Sequence, residues 1–213
     1  MDSRGLQQRI NRGMGRAARV LGDEFQVYRP VDPLAPIDLA LTTLRAKLDQ
    51  DFGFRHRRPG ARATPLYYLL ADASPLRVGD YLAGAPGTWF VAAMEANMPP
   101  ACVRCNRVVN VSRPRGNAKL GINPPGGRRD STDDPLMRGW PASVLRGGLD
   151  AAGAAALPAS ARLQGVEILL PASDGLTLRT GDRATDDLGV AYTIGSAELT
   201  AHGWRLAAAT SEV

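Results

Sequence analysis

Apolar side chains recur at helical spacing near the N-terminus, where Leu6, Ile10, Met14, Ala17, Ala18 and Leu21 punctuate residues 3–21. The spacing predicts a helix, weakened by Gly13 and Gly15 and stopped by Gly22. Phe25, Val27 and Tyr28 then alternate as a short strand ending at Pro30. Residues 31–65 carry several prolines and little clean periodicity; within them, 37–48 reads either as a short helix or as an extended arm. From residue 66 the pattern turns to β. Apolar runs at 66–70, 81–82 and 89–94 predict strands, and 103–111 alternates as one longer strand through Val103, Cys105, Arg107, Val109 and Val111. Residues 113–135 hold Pro114, Gly116, Pro124, Pro125, Gly126, Gly127 and Pro135, which predicts a long loop. Residues 148–160 read as a short alanine-rich helix or a second exposed connector. Strands resume at 166–170, 176–178, 192–194 and 204–208.

Two stretches of this pattern match. Residues 67–95 and 167–198 each have an apolar strand with Leu-Leu (Leu69-Leu70, Leu169-Leu170), then Leu-Arg-x-Gly-Asp at 76–80 and 178–182. Each goes on to a glycine-bearing hairpin (Gly87, Gly189), an aromatic strand (Trp89-Phe90, Tyr192) and a glutamate (Glu95, Glu198). Gly79-Asp80 and Gly181-Asp182 predict tight turns, the glycine accepting positive φ and the aspartate capping turn amides. Gly189 closes the next hairpin in a left-handed conformation. The predicted fold is mainly β with some α: two small antiparallel β-barrel or sandwich-like modules, an N-terminal helix and long loops. The division follows: 1–30, a basic helix and first strand; 31–65, a Pro-rich arm; 66–112, a first β module; 113–135, a linker; 136–213, a second β module.

Composition narrows the class. The chain has 213 residues, 44% hydrophobic and 22% charged, which suits packed domains better than disorder. No apolar run approaches the roughly 20 residues that span a bilayer, and the N-terminus lacks an apolar signal core. A soluble chain with no membrane partner is expected. The net charge of +5 and pI near 9.7 favour polyanionic surroundings in a salt-sensitive way. The excess is uneven: Arg4, Arg9, Arg12, Arg16 and Arg19 crowd the predicted helix, and Arg128 and Arg129 sit in the long loop. These seven are the candidate contacts to DNA or to a partner protein, a solvated surface being the plain alternative.

Catalytic chemistry finds little to work with. Cys102-x-x-Cys105 has no second pair, and His56 and His202 stand alone, so a structural zinc is not expected. On a strand the two cysteines would point to opposite faces. Gly13-Met14-Gly15 follows helical pattern where a dinucleotide site needs a strand, and Gly126-Gly127-Arg128-Arg129 lacks the Lys-Ser/Thr of a phosphate loop. Asp130, Asp133 and Asp134, and likewise Asp182, Asp186 and Asp187, lack calcium-loop spacing and read as turn residues. No Gly-x-Ser-x-Gly elbow occurs. Trp89, Trp140 and Trp204 read as core anchors. No enzyme, cofactor or metal is expected.

Several segments resemble a family of conserved phage and prophage proteins of high-GC proteobacterial genomes, usually found among virion structural genes. They are RINRGMGRAARVLGDEFQVYRP, FVAAMEANMPPACVRCNRVVNVSRP, LMRGWPASVLRGG and GDRATDDLGVAYTIGSAELTAHGWRLAA. The Leu-Arg-x-Gly-Asp turn followed by Asp-x-Gly and an aromatic strand is similar, more loosely, to the small β-barrels of head-closure and other connector proteins. The resemblance implies a non-enzymatic subunit of a neck or head–tail connector ring, made in the bacterial cytoplasm and located in the virion. Its partners would be copies of itself, a portal, adaptor or tail protein, and packaged DNA without sequence preference. A tail, baseplate or tail-spike component, or a basic DNA-associated protein, are the alternatives.

Overall fold

In the computed structural model, described for residues 3–51, 65–114, 133–146, 165–173 and 175–210, one helix precedes twelve strands. The helix, α1 (Ser3–Leu21), docks on a first closed barrel of six antiparallel strands. These are β1 (Asp23–Tyr28), β2 (Ala40–Asp49), β3 (Leu66–Leu70), β4 (Tyr81–Gly84), β5 (Gly87–Ala93) and β6 (Ala101–Cys105). The second barrel uses β7 (Arg107–Arg113), β8 (Asp134–Arg146), β9 (Gly165–Leu170), β10 (Arg183–Asp186), β11 (Ala191–Thr200) and β12 (Gly203–Thr210). Around the first barrel the order is β1-β2-β3-β6-β5-β4; around the second it is β7-β8-β9-β12-β11-β10, the same path traced twice.

Strand pairing draws the module boundaries elsewhere than turn residues and prolines do. Residues 23–28 and 40–49 belong to the first barrel, so the segment read as helix or arm from 37 is in large part strand β2. Residues 107–113 belong to the second barrel, and the single strand expected over 103–111 is two strands, broken at Asn106. Asn106 holds the joint. Its backbone N donates to Ala142 O (2.9 Å), and its amide exchanges bonds with Val144 N and O (2.8 and 2.9 Å). The stretch 176–178 forms no strand; Leu178 is buried there, just ahead of the turn from Arg179 to Asp182. The tract 148–160 and most of the 113–135 loop lie outside the described residues.

Inside the first barrel, Phe25, Val27, Ala46, Leu69, Leu82, Trp89, Val91 and Cys102 make one core. A larger core fills the second barrel with Val109, Val111, Trp140, Ile168, Leu170, Ile194 and Leu206. Tyr81, Phe90, Ala92 and Val103, pointing outward from the first barrel, join that second core. The two barrels therefore share buried surface, and the tryptophans are all core residues. Close approach of α1 depends on two glycines: a Cβ on Gly15 would come 2.9 Å from Asp72 Cβ, and one on Gly22 would come 2.7 Å from the Ala46 backbone. Gly15, which weakens the helix as a sequence, thus also lets it dock.

Candidate assembly surface

The repeated Gly-Asp turns are built alike to the atom. Gly79 and Gly181 have φ of 92° and 89°, where glycine is unhindered. Asp80 Oδ2 accepts from Arg77 N and Asp182 Oδ2 from Arg179 N, both at 2.8 Å. Gly79 N and Gly181 N donate to Val91 O and Ile194 O, and those two residues donate back to Asp80 O and Asp182 O. Next to each lies a β-bulge, between Val91 and Ala93 in one barrel and between Ile194 and Ser196 in the other.

Each aspartate also receives an arginine from the end of its barrel's first strand. Arg29 donates through Nε and NH2 to the two oxygens of Asp80 (2.8 and 2.7 Å) and again to Pro75 O. Arg113 does the same to Asp182 (2.8 and 2.9 Å) and to Thr177 O. Bonding to the carboxylate pushes both guanidinium pKa values up from their ordinary value, with partial burial pulling the other way. These arginines escape the Leu-Arg-x-Gly-Asp comparison because they lie 51 and 69 residues from their aspartates. A signal was present: Val27-Tyr28-Arg29-Pro30 matches Val111-Ser112-Arg113-Pro114. The Leu-Leu dyads, by contrast, are out of phase, since Leu69 is the buried member of one and Leu170 of the other. The two glutamates differ too: Glu95 follows β5, whereas Glu198 lies within the β11–β12 ladder opposite Arg205.

The remaining candidates are accounted for by structure. Asp186 accepts from Leu188 N, Val190 N and the Tyr192 hydroxyl, and Gly189 takes φ 79° in that turn. Asp133 lies 3.7 Å from Arg183. Among the described residues no three His, Cys, Asp or Glu side chains converge on a metal position. Cys102 is sealed in the first core while Cys105 packs against the second, and burial pushes both thiols well above the usual range, Cys102 adding to the effect on Cys105. His202 is exposed in the β11–β12 turn; His56, Asp130, Arg128 and Arg129 lie outside the described residues, as does the side chain of Arg4.

Three features face outward. The connection from β1 to β2 crosses to the second barrel, where Pro33 O accepts from Trp140 Nε1 (2.6 Å) and Arg138 N (3.1 Å). Around that clasp Val31, Leu34, Leu39 and Leu41 stay in solvent. On α1, Arg9, Arg12, Arg16 and Arg19 are all exposed. Between the barrels a cavity of 530 Å³ is lined by Leu66, Tyr68, Met98, Leu169 and Trp204, with Glu167 and Arg205 paired at its edge. Compared with models of protein families, with curated proteins and with solved structures, the chain matches none.

Proposed function

We propose that the chain is a non-enzymatic structural subunit of a tailed-phage head–tail connector, a neck or head-closure-like ring formed from copies of itself and joined to neighbouring virion proteins. The observation that carries this reading is where exposed apolar side chains lie on two closed barrels. A closed barrel has no free edge for strand addition, so a partner must bind side chains. Of the fourteen large apolar residues left in solvent among the described residues, six lie over 20–41: Val20 and Leu21 at the end of α1, then Val31, Leu34, Leu39 and Leu41. Val31 and Leu39 are 87% and 83% exposed on an arm whose Pro33 is nevertheless fixed, a surface that gains by being covered. The phage setting rests on the short motifs alone; a tail or baseplate component would use the same surfaces.

The test is immunogold electron microscopy of purified particles from a strain carrying the gene, together with light scattering of the purified chain. Copies in the particle neck and a ring-sized mass are expected, both lost in the double variant Val31→Asp, Leu39→Asp. Particles free of the chain would overturn the reading, and copies confined to the baseplate would select the tail alternative.

A further inference from the structure

The outer face of α1 carries a regular row of charge. At 3.6 residues per turn, Arg9, Arg12, Arg16 and Arg19 fall within an arc of about 80° and span about 15 Å of helix axis. All four are exposed, and none meets a carboxylate among the described residues. Arg12, Arg16 and Arg19 of the row form one wall of an open groove of 740 Å³ whose other wall is β2, where Thr43 and Arg45 line it. The Arg45 guanidinium rests on the helix end, donating to Arg19 O at 3.3 Å. Two acids lie nearby: Asp72, whose Oδ1 is already taken by Ser74 N and Oγ, and Glu24, opposite Arg45 in the ladder. The groove remains strongly basic.

We infer that the arginine row and the groove beside it bind the sugar-phosphate backbone of duplex DNA without reading sequence. Over about 15 Å one strand of a duplex presents about four phosphates, matching the four arginines of the helix. Arginine is suited to phosphate oxygens, which it can take two at a time. The row has no aromatic residue on which bases could stack. An anionic membrane fits poorly, because an interfacial helix needs an apolar face opposite its basic one, and here that face, with Ala18 wholly buried, lies on the barrel. An acidic protein fits less well too, since protein contacts want an apolar centre inside a charged rim, and Val20 and Leu21 sit to one side of the row. The inference does not depend on the connector reading, and its test involves no assembly.

Fluorescence anisotropy of the purified full chain with a short labelled duplex of mixed sequence decides it. Binding is expected to weaken about a hundredfold between 50 and 200 mM salt, as four phosphate contacts require. Replacing the four arginines with glutamine should abolish binding while the circular dichroism melt is unchanged; replacing them with lysine should retain most of it. Arg45→Gln should weaken binding partially. Wild-type affinity in the glutamine variant would overturn the inference, as would tighter binding to polyglutamate or to phosphatidylglycerol vesicles than to the duplex.

Discussion

Arg29 and Asp80 make a pair in which the two partners are not equally expendable. The aspartate side chain is 1% exposed and the arginine 27%, so deleting the arginine strands a buried carboxylate, whereas deleting the aspartate returns the arginine to water. Arg29→Ala should therefore cost about 3–5 kcal/mol, and Asp80→Ala about 1–3 kcal/mol, from the Arg77 amide left without its acceptor. Urea titrations of the two variants check the order. The same asymmetry is expected for Arg113 and Asp182. A second prediction concerns the thiols. Because burial holds both thiol pKa values far above neutrality, Cys102 and Cys105 stay protonated in the folded chain and should resist iodoacetamide at neutral and mildly alkaline pH. Both should be alkylated quickly once urea unfolds it, as read by mass. At this scale the sequence disclosed the local half of each lock. Glycine and aspartate stand side by side and announce a turn, but the arginine arrives through the barrel's closure, which no local spacing encodes.

Burial pattern explains which elements could be read directly. Strand β11 alternates, with Tyr192 and Ile194 inward and Thr193 outward, because its outer face is wet. Its counterpart β5 has Trp89, Phe90, Val91 and Ala92 all buried, because its outer face lies on the second barrel; the loss of alternation marks burial on both sides. The false single strand at 103–111 has a related cause. Val103 and Cys105 on the outside of one barrel, and Val109 and Val111 on the inside of the next, all touch the same core. The period of two thus runs on through Asn106 although the sheet does not. Turn glycines set a prediction at this scale. Gly181 at φ 89° has open space around its Cβ position, so Gly181→Ala should cost about 1–2 kcal/mol for the backbone alone. Gly203→Ala should cost more, since the new Cβ would lie 2.3 Å from Leu170 O. Thermal melts of both variants give the comparison.

Across the whole molecule the shared core makes two barrels behave as one. The Tyr81 hydroxyl, buried in the first barrel's wall, donates to Pro141 O of the second at 2.8 Å, and its ring meets Trp140 edge-on at 6.2 Å. Calorimetry should show one transition with equal calorimetric and van't Hoff enthalpies. Tyr81→Phe should lower stability by about 1 kcal/mol through the lost hydrogen bond without splitting the peak. Two resolved peaks in the wild type would contradict the shared core. The tandem architecture was legible from the second half of each repeat, where turn chemistry is dense. The first half, β1–β2–β3 against β7–β8–β9, is interrupted by connections of unlike length; beyond the Leu-Leu dyads and the two Val-x-Arg-Pro segments, its kinship emerges when strands are matched by pairing.

The outward face of the first barrel has one more consequence. In the second barrel the places of Tyr81, Phe90 and Ala92 are held by Arg183, Thr193 and Gly195, so the apolar patch that mates the barrels is absent from its own repeat. At the other end, α1 lies on β2 and β3, the counterparts of the strands β8 and β9 beside which the first barrel sits. Helix, barrel and barrel thus form a capped array, in which the contact that stacks one unit on the next is used once and then withdrawn. Head-to-tail growth into open filaments by that contact is blocked at both ends, and a closed assembly is free to use other surfaces.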